Sequence, residues 1–150
     1  MSGTYSNLIY HIVFSTKGRR QLITSAIEAE LYQYMDGIIH NLEGKLLEIN
    51  GVTDHVHLLV KLKPKRALSD IIRDLKASSS KWLNEEKSRF HKFAWQDGFG
   101  AFTVSQSQIE RIAGYIRNQK NRHKKSDYKT EFLELLVKNK VEYDVRYLWT

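Results

Sequence analysis

The chain has 150 residues, of which 41% are hydrophobic and 27% are charged, and this composition argues against a mainly disordered chain. Its 24 Lys and Arg outnumber its 17 Asp and Glu, and the formal net charge of +7 favours a polyanionic partner. There is no cysteine, which excludes disulfides and thiolate metal sites. The length suits a single domain over residues 1–150.

No targeting or membrane segment stands out along the chain. The N-terminus lacks the basic and apolar blocks of a signal peptide. No apolar run approaches the ~20 residues that a membrane span needs. A cytoplasmic protein without a membrane partner is therefore expected.

The first third of the chain predicts a strand followed by a helix. Leu8–Ser15 is rich in β-branched and aromatic residues, which favour a strand. After a basic loop at 17–20, Ser25 and Glu28 have the spacing of a capping box. Apolar residues then recur at helical spacing, namely Ile27, Leu31, Tyr34, Ile38 and Leu42. Gly44 is expected just past the last turn of this helix.

The middle of the chain predicts a hairpin and a second helix. Lys45–Val52 and His55–Leu62 have the pattern of two strands joined by a short turn, which indicates an antiparallel hairpin. Pro64 closes the second strand. One apolar stripe then indicates a helix, and it consists of Leu68, Ile71, Ile72, Leu75, Trp82 and Leu83.

The last third predicts a short strand and two helices. The strand is expected at Ala101–Ser105. Ser107 and Glu110 have the spacing of a second capping box, which opens a helix that runs through about Arg122. A further helix at Lys129–Asn139 precedes an extended tail.

The order β-α-β-β-α-β, followed by two helices, indicates the fold class. It is α+β, a ferredoxin-like split βαβ arrangement with an antiparallel sheet, plus C-terminal helices. Two helices are expected to cover one face of the sheet and to leave the other face open. The C-terminal helices carry a tyrosine of interest.

Two histidines lie at the start of the second hairpin strand, in the run Asp54-His55-Val56-His57. Because strand residues alternate between faces, Val56 is expected in the core while His55 and His57 point together to the open face. Two imidazoles so placed can chelate one divalent ion, and oxygen donors would complete a site for Mg or Mn. The alternative is a pair of half-exposed histidines without a ligand.

One tyrosine lies at the border of the apolar stripe on the helix after Ser107. The stripe that must face the core consists of Ile109, Ile112, Ala113 and Ile116. Tyr115, Gln119 and His123 follow one another at intervals of four, so they stack along one side. Tyr115 could serve packing alone. As a nucleophile, a phenol with a pKa near 10 would need a metal ion, which the histidine pair would supply and to which Gln119 could add a ligand.

Four segments, in this order and spacing, match a family pattern. They are 10–17 (YHIVFSTK), 54–60 (DHVHLLV), 95–102 (WQDGFGAF) and 115–119 (YIRNQ). The chain resembles the single-tyrosine HUH transposases of small bacterial insertion sequences, the TnpA-like group related to the REP-associated tyrosine transposases. The resemblance implies a metal-dependent endonuclease and strand transferase that cuts and rejoins single-stranded DNA at insertion-sequence ends through a 5′-phosphotyrosine.

The resemblance also implies a role for each residue of the site. His55 and His57 would hold a divalent metal, Mg or Mn, with Gln119 as the third protein ligand. Tyr115 would be the nucleophile and would leave a free 3′-OH. Some relatives have paired histidines after the tyrosine motif where this chain has His123 alone, so His123 is given no role.

The resemblance implies partners as well. Family members act as dimers on subterminal DNA hairpins, with active sites shared between subunits, so a homodimer on hairpin DNA is expected. Candidates for contacts with the DNA backbone are the basic residues Lys17, Arg19, Arg20, Arg117 and Lys120. Each of them could instead be a solvated surface charge.

Three other functions fit parts of the sequence. A non-catalytic single-strand nucleic-acid-binding module needs aromatic residues on the open sheet face, whereas the residues expected there are His55, His57, Leu59 and Lys61. Replication initiators and relaxases usually carry extra domains or a second tyrosine. A domesticated relative that processes host repeat hairpins would use the same chemistry, and this alternative stays open.

Overall fold

The computed structural model describes residues 3–87 and 92–150. Within them, β1 (Leu8–Ser15), β2 (Lys45–Val52), β3 (His55–Leu62) and β4 (Gly100–Thr103) form an antiparallel sheet in the order β2-β3-β1-β4. This is the ferredoxin-like order, so the predicted α+β fold class is confirmed. The first three strands have the predicted bounds, whereas β4 begins one residue earlier than predicted and ends at Thr103.

Two long helices, α1 (Glu28–Asn41) and α2 (Leu68–Glu86), pack on one face of the sheet. The core there includes Phe14 of β1 with Val56 and Leu58 of β3, the inward positions that strand alternation predicts. Burial of these apolar side chains is the main stabilising contribution on this side of the sheet.

Both predicted capping boxes are wrong. Helix α1 has Ile27 at its N-cap with no side-chain cap, and the carboxylate of Glu28 pairs with Lys120 instead, at 2.9 Å. The hydroxyl of Ser107 lies 3.2 Å from that of Ser105 and caps no helix. Backbone turns before each helix accept some of the first amide hydrogens, as in the 3.1 Å bond from Ile27 N to a preceding carbonyl.

The second face of the sheet is covered, so the prediction of an open face is wrong. Helices α3 (Ile109–Arg117), α4 (Gln119–Arg122) and α5 (Tyr128–Lys138) lie on this side. Two apolar clusters there join sheet to helices and consist of Ile9, Leu59, Val104, Ala113 and Ile116, and of Val13, Phe102, Tyr128, Phe132, Leu135 and Leu136. Strands buried on both faces have nearly continuous apolar runs, and β1 has such a run.

The predicted helix through Arg122 is interrupted at one residue. Asn118 has φ −89° and ψ 8°, which ends α3 and separates it from α4. The stripe residues of α3 face the core as predicted. Gln119 is fully buried at the start of α4, so the interruption turns this side chain toward the sheet.

The C-terminal segment packs back on the protein instead of forming an extended tail. Asp127 caps α5 by accepting a hydrogen bond from Thr130 N at 2.9 Å. Beyond α5 the chain turns, and Trp149 lies against Tyr128 and Phe132 with ring centroids 6.5 and 6.0 Å away. These contacts hold α5 from its outer side.

Candidate active site

The two strand histidines lie on the sheet face that α3, α4 and α5 cover. His55 and His57 are both fully buried, at 0% exposure, and their ring centroids are 5.1 Å apart. Strand pairing places them opposite Ser15 and Val13 of β1. Their shared face is the one that alternation predicts, whereas the half exposure considered as an alternative is not found.

The Nδ1 atom of each histidine has a defined partner. His55 Nδ1 lies 2.7 Å from Oδ1 of Asp54, and His57 Nδ1 lies 2.8 Å from Nε2 of His11, a buried ring on β1. Partners of this kind fix the orientation of metal-binding histidines. The Nε2 atoms of His55 and His57 are thereby left to point inward, away from the strand.

The inward nitrogens meet at the carboxylate of Glu131, which comes from α5. Its Oε1 lies 3.3 Å from His55 Nε2, 3.0 Å from His57 Nε2 and 2.8 Å from His123 Nε2. Glu131 is fully buried. The single residue Glu131 therefore joins the strand histidines to His123, which follows α4.

Tyr115 and Gln119 approach the other oxygen of the same carboxylate. Glu131 Oε2 accepts a hydrogen bond from the Tyr115 hydroxyl and another, at 2.7 Å, from the Gln119 amide. The amide oxygen of Gln119 lies 3.2 Å from His55 Nε2. The rings of Tyr115 and His57 are 5.8 Å apart between centroids. One chain thus brings together all the predicted tyrosine and metal-site residues.

The electrostatics of the cluster follow from burial and from Glu131. Burial opposes a charge on His55, but the hydrogen bonds to Asp54 and Glu131 raise its pKa to about 9. At His57 burial dominates and lowers the pKa to about 4. Burial disfavours ionised Glu131, yet bonds to His123 and the two strand histidines hold its pKa well below the usual range. The carboxylate is therefore ionised and attracts positive charge.

The phenol of Tyr115 is protonated in this arrangement. Burial, and then the bonded carboxylate of Glu131, raise its pKa above the ordinary value. The guanidinium of Arg122 lies 5.5 Å from the centre of the tyrosine ring and opposes this rise. Its Nε is 3.1 Å from Glu131 Oε2 without forming a hydrogen bond to it. A further positive charge near Oη would ease loss of the phenolic proton.

The donor atoms of this cluster fit a divalent metal ion. One donor atom from each of His55, His57, His123 and Glu131 lies within 4.8 Å of the others. Ligands at about 2.0–2.2 Å from one ion lie at most about 4.4 Å apart, so a small contraction of the cluster would let its donor atoms hold one ion. The residues present therefore fit the metal that the family resemblance implies.

Tyr115, at the edge of the cluster, lines two clefts. One has a volume of about 320 Å³, and His11, Arg111 and Lys138 are among its lining residues. The other has a volume of about 560 Å³ and is lined in part by Arg122 and by lysines. Cationic walls suit an approaching phosphodiester chain.

Three of the predicted DNA contacts lie just after β1. Lys17 and Arg20 are exposed at the two ends of a single 3₁₀ turn and its cap. The guanidinium of Arg19 lies 5.6 Å from the ring centre of Trp149. Their contact with DNA stays a prediction.

The other two predicted DNA contacts have acidic partners within the chain. Arg117 pairs with Glu48 at 2.7 Å, and Lys120 pairs with Glu28 at 2.9 Å. Lys120 also donates to Asn50 Oδ1 at 2.8 Å. These bonds hold α3 and α4 against β2 and α1, and contact with DNA stays a prediction here too.

Sequence reasoning gave no role to Glu131 or His11, although the structure places both in the cluster. Glu131 lies within the buried stripe of α5, between Tyr128 and Leu135 at helical spacing. A carboxylate on the apolar side of a helix was therefore a usable signal. The contact of His11 with His57 depends on the pairing of β1 with β3, which local spacing does not define.

A ferredoxin-like sheet with two strand histidines beside a helix tyrosine defines the class of the tyrosine transposases. Residues 4–119 match the family model described as "Transposase IS200 like". The chain belongs to this family. The resemblance to the HUH transposases is thereby confirmed. The chain is a transposase, and thus a DNA-cleaving enzyme.

Two relatives show the extent of the sequence similarity. The chain is 32% identical over 129 residues to the transposase for insertion sequence element IS200 of Salmonella typhimurium, covering 79% of this chain and 81% of that protein. It is 24% identical over 122 residues to the ISDra2 transposase TnpA of Deinococcus radiodurans, covering 78% and 87%. The similarity therefore spans most of both chains.

Solved structures share the fold. A transposase crystal structure from Deinococcus radiodurans has a TM-score of 0.64 at 25% identity and covers 79% of this chain and 95% of that one. A REP-associated tyrosine transposase bound to a REP hairpin has a TM-score of 0.61 at 13% identity, covering 82% and 74%. The family match ends at Gln119, so His123 and Glu131 lie beyond it.

Proposed function

We propose that the chain cuts and rejoins single-stranded DNA at insertion-sequence ends, with Tyr115 as nucleophile and a divalent metal ion, Mg or Mn, held by His55 and His57. One observation carries the proposal: the tyrosine hydroxyl and both imidazole Nε2 atoms converge on the carboxylate of Glu131. Groups that share one small volume can act on one phosphate. Gln119, whose amide oxygen faces His55 at 3.2 Å, is the third ligand that the family resemblance implies.

The reaction forms one bond and breaks one. When bound, the metal ion supplies positive charge to the scissile phosphate and to the tyrosine oxygen. Tyr115 Oη forms a bond to phosphorus and loses its proton, while the bond from phosphorus to the 3′-oxygen breaks and that oxygen gains a proton. Glu131 Oε2, which accepts the phenolic hydrogen bond, holds Oη in place before attack. The product is a 5′-phosphotyrosine with a free 3′-OH.

Rejoining uses the same groups in reverse. The phosphotyrosyl bond retains the energy of the phosphodiester, so a second 3′-OH can displace Tyr115 without ATP. The guanidinium of Arg122, 5.5 Å from the tyrosine ring, places a positive charge beside the covalent intermediate. A domesticated relative that processes host repeats would use the same steps, and imperfect palindromes in the flanking DNA would identify a mobile element.

The partners proposed are hairpin DNA and a second copy of this chain. The resemblance implies subunits that share active sites, yet one chain already contains the nucleophile and the metal-site residues. These contacts support a proposal in which each active site is built within one chain, while dimerisation holds two DNA ends. Lys17, Arg19 and Arg20 bind DNA backbone. Among the described residues, no helix has the length and apolarity of a membrane span.

Changing Tyr115 to Phe tests the proposal. Phe keeps the ring and its packing but removes the attacking oxygen, so no covalent protein–DNA adduct should form. The matched control is Tyr128→Phe, because this buried phenol lies close to the cluster with its ring centroid 4.7 Å from that of His55. The adduct is detected on a denaturing gel and mapped by mass spectrometry. An adduct that persists in folded Tyr115→Phe protein would overturn the assignment.

A further inference from the structure

The positions of hydrogen atoms around Glu131 follow from the outer partners of the histidines. His55 Nδ1 faces a carboxylate oxygen of Asp54 at 2.7 Å, and His123 Nδ1 faces the carbonyl oxygen of Ser126 at 2.8 Å. Both partners only accept hydrogen bonds, so both Nδ1 atoms carry hydrogen. In a neutral ring the other nitrogen, Nε2, then presents a lone pair.

In neutral rings these lone pairs would point at a carboxylate, which has no hydrogen bond to donate. His55 Nε2 and His123 Nε2 lie 3.3 and 2.8 Å from Oε1 of the ionised Glu131. The side chains of His55, His123 and Glu131 are almost fully buried, at 0%, 6% and 1% exposure. Water therefore screens the electrostatic interactions between them little. Facing lone pairs at such distances repel each other unless a cation lies among them. The cluster therefore needs either extra protons on the rings or a metal ion.

We propose that His123 and Glu131 are ligands of the same metal ion as His55 and His57. Together with the amide oxygen of Gln119, the resulting site has three imidazoles, one carboxylate and one amide oxygen. The presence of a metal ion rests on the proposed function. The inference adds two ligands to the site and predicts which class of divalent metal binds it best. Gln119, which donates to Glu131 Oε2 at 2.7 Å, then also holds the carboxylate in position. Both added ligands lie beyond residue 119, where the family match ends.

The donor set determines which metals bind best. Imidazole suits Zn²⁺ and related transition metals such as Co²⁺, whereas oxygen ligands suit Mg²⁺ and Mn²⁺, and Mg²⁺ also keeps several of its waters. A site with three nitrogen donors should therefore bind Co²⁺ and Zn²⁺ more tightly than Mg²⁺. Mn²⁺ should fall between them, as the general order of divalent affinities requires.

The test is a titration of the full chain with Co²⁺ alone, in which binding is measured by calorimetry and by the visible absorption of the bound ion. The wild type should bind one Co²⁺ ion, with Mg²⁺ competing only at far higher concentration. Glu131→Gln and His123→Gln should each weaken binding by roughly tenfold to 100-fold or more, since loss of even an outer partner has effects of that size. Each should also change the absorption spectrum, which reports the ligands themselves.

The matched control is Glu110→Gln. This carboxylate lies on α3, is exposed and contacts only the outer cation Arg117 among the ion pairs described, at 3.9 Å, so its loss should leave the affinity and spectrum unchanged. Circular dichroism and melting without metal check each fold. If Glu131→Gln does not fold, Glu131→Asp keeps the charge but withdraws it by one methylene, and it should weaken Co²⁺ binding in the same direction.

The failure of this inference can be distinguished from failure of the proposed function. Suppose His57→Ala loses Co²⁺ binding while the Glu131 and His123 variants bind as the wild type does, with its spectrum. The added ligands are then wrong, and the proposed function stands. Equal affinity for Mg²⁺ and Co²⁺ would also overturn the three-imidazole site. If the wild type binds no metal and cleaves DNA in the presence of EDTA, the metal ion is wrong in both proposals.

Discussion

Among single residues, Glu131 links the hydroxyl of Tyr115 to the histidines. One of its oxygens faces three imidazoles, while the other accepts from Tyr115 and Gln119. Because the carboxylate is buried, movement of any one partner changes the electrostatic environment of the rest. The position of Tyr115 Oη is thus set by the same group that faces the metal-site residues.

The contact between Asp54 and His55 gives a prediction at this scale. In Asp54→Asn the amide can present its NH₂ group to His55 Nδ1, which favours the tautomer with hydrogen on Nε2 and blocks ligation. We expect metal affinity to fall by roughly tenfold to 100-fold with the fold retained, as measured by Co²⁺ calorimetry. Asp70→Asn, which removes an exposed carboxylate paired with Arg73, is the control. Unchanged affinity in Asp54→Asn would show that the carboxylate does not orient the ring.

Part of this site could be predicted from local spacing alone. A spacing of two residues on a strand places His55 and His57 on one face of the sheet. A spacing of four residues on a helix places Tyr115 beside Gln119. The role of Glu131 could not be predicted in this way, because it is 74 residues from His57 in sequence and reaches it only when α5 docks on the sheet. The docking itself depends on apolar residues of both partners.

Among the elements, the hairpin of β2 and β3 sets the position of His55, the first residue of β3. Gly51 lies so close to the opposite strand that an added Cβ would be 2.1 Å from His55 O and 2.9 Å from Val56 Cα. Both are backbone atoms, which cannot move aside as a flexible side chain can. The hairpin therefore needs glycine at this position.

Gly51→Ala should destabilise the protein and impair cleavage. Overpacking against backbone costs typically about 1–3 kcal/mol and sometimes more, and any shift of the hairpin displaces His55. The matched control is Gly37→Ala in the exposed part of α1, where an added Cβ meets nothing within 4 Å. That change should stabilise the helix by about 0.5–1 kcal/mol. Urea unfolding measures both, and Gly51→Ala protein as stable as the wild type would contradict the steric argument.

The strands were predictable because alternation and turn residues mark both of their ends, and β1, β2 and β3 have the predicted bounds. Helix starts were less predictable. Ser25 and Ser107 have capping-box spacing, yet backbone turns take the place of the side-chain caps. The covered second face of the sheet could not be predicted, because the apolar stripes of α3 and α5 do not indicate which surface they pack against.

At the scale of the whole molecule, charge and access favour a flexible polyanion. The net charge is +7, and both clefts beside Tyr115 have basic residues in their walls. Tyr115 is only partly buried, so a phosphate that enters either cleft can approach it. We expect a single strand to follow such a path more readily than a stiff duplex, whose phosphates lie on the outside of a broad helix.

We therefore expect cleavage of one strand of the flanking DNA and not of the duplex. Labelled top and bottom strands are incubated separately, with and without EDTA, and EDTA should abolish cleavage. His57→Ala should lose cleavage but retain hairpin binding, because affinity comes mainly from phosphate contacts. Binding should weaken as salt rises. Equal cutting of both strands, or activity undiminished by EDTA, would contradict this expectation.

Whether one chain or two build an active site can be tested by mixing variants. Tyr115→Phe lacks the proposed nucleophile and His57→Ala lacks one of the proposed metal ligands, so we expect that each alone forms no covalent adduct. If subunits shared sites, a mixed dimer would contain one intact combination, and mixing would restore the adduct. The structure brings the rings of Tyr115 and His57 within 5.8 Å in a single chain, so we expect no recovery.

The mixing experiment needs proof that subunits exchange. Differently tagged variants are mixed, and the mixed species are isolated through both tags. Their adduct formation on hairpin DNA is compared with that of a mixture of the wild type and the variant that carries both Tyr115→Phe and His57→Ala. That mixture retains one intact chain and should form adduct. Recovery of adduct in the Tyr115→Phe and His57→Ala pair, above the level of either variant alone, would show that the tyrosine of one subunit acts with the histidines of the other. The contacts of Tyr115 with Glu131 would then describe the chain outside the catalytic assembly.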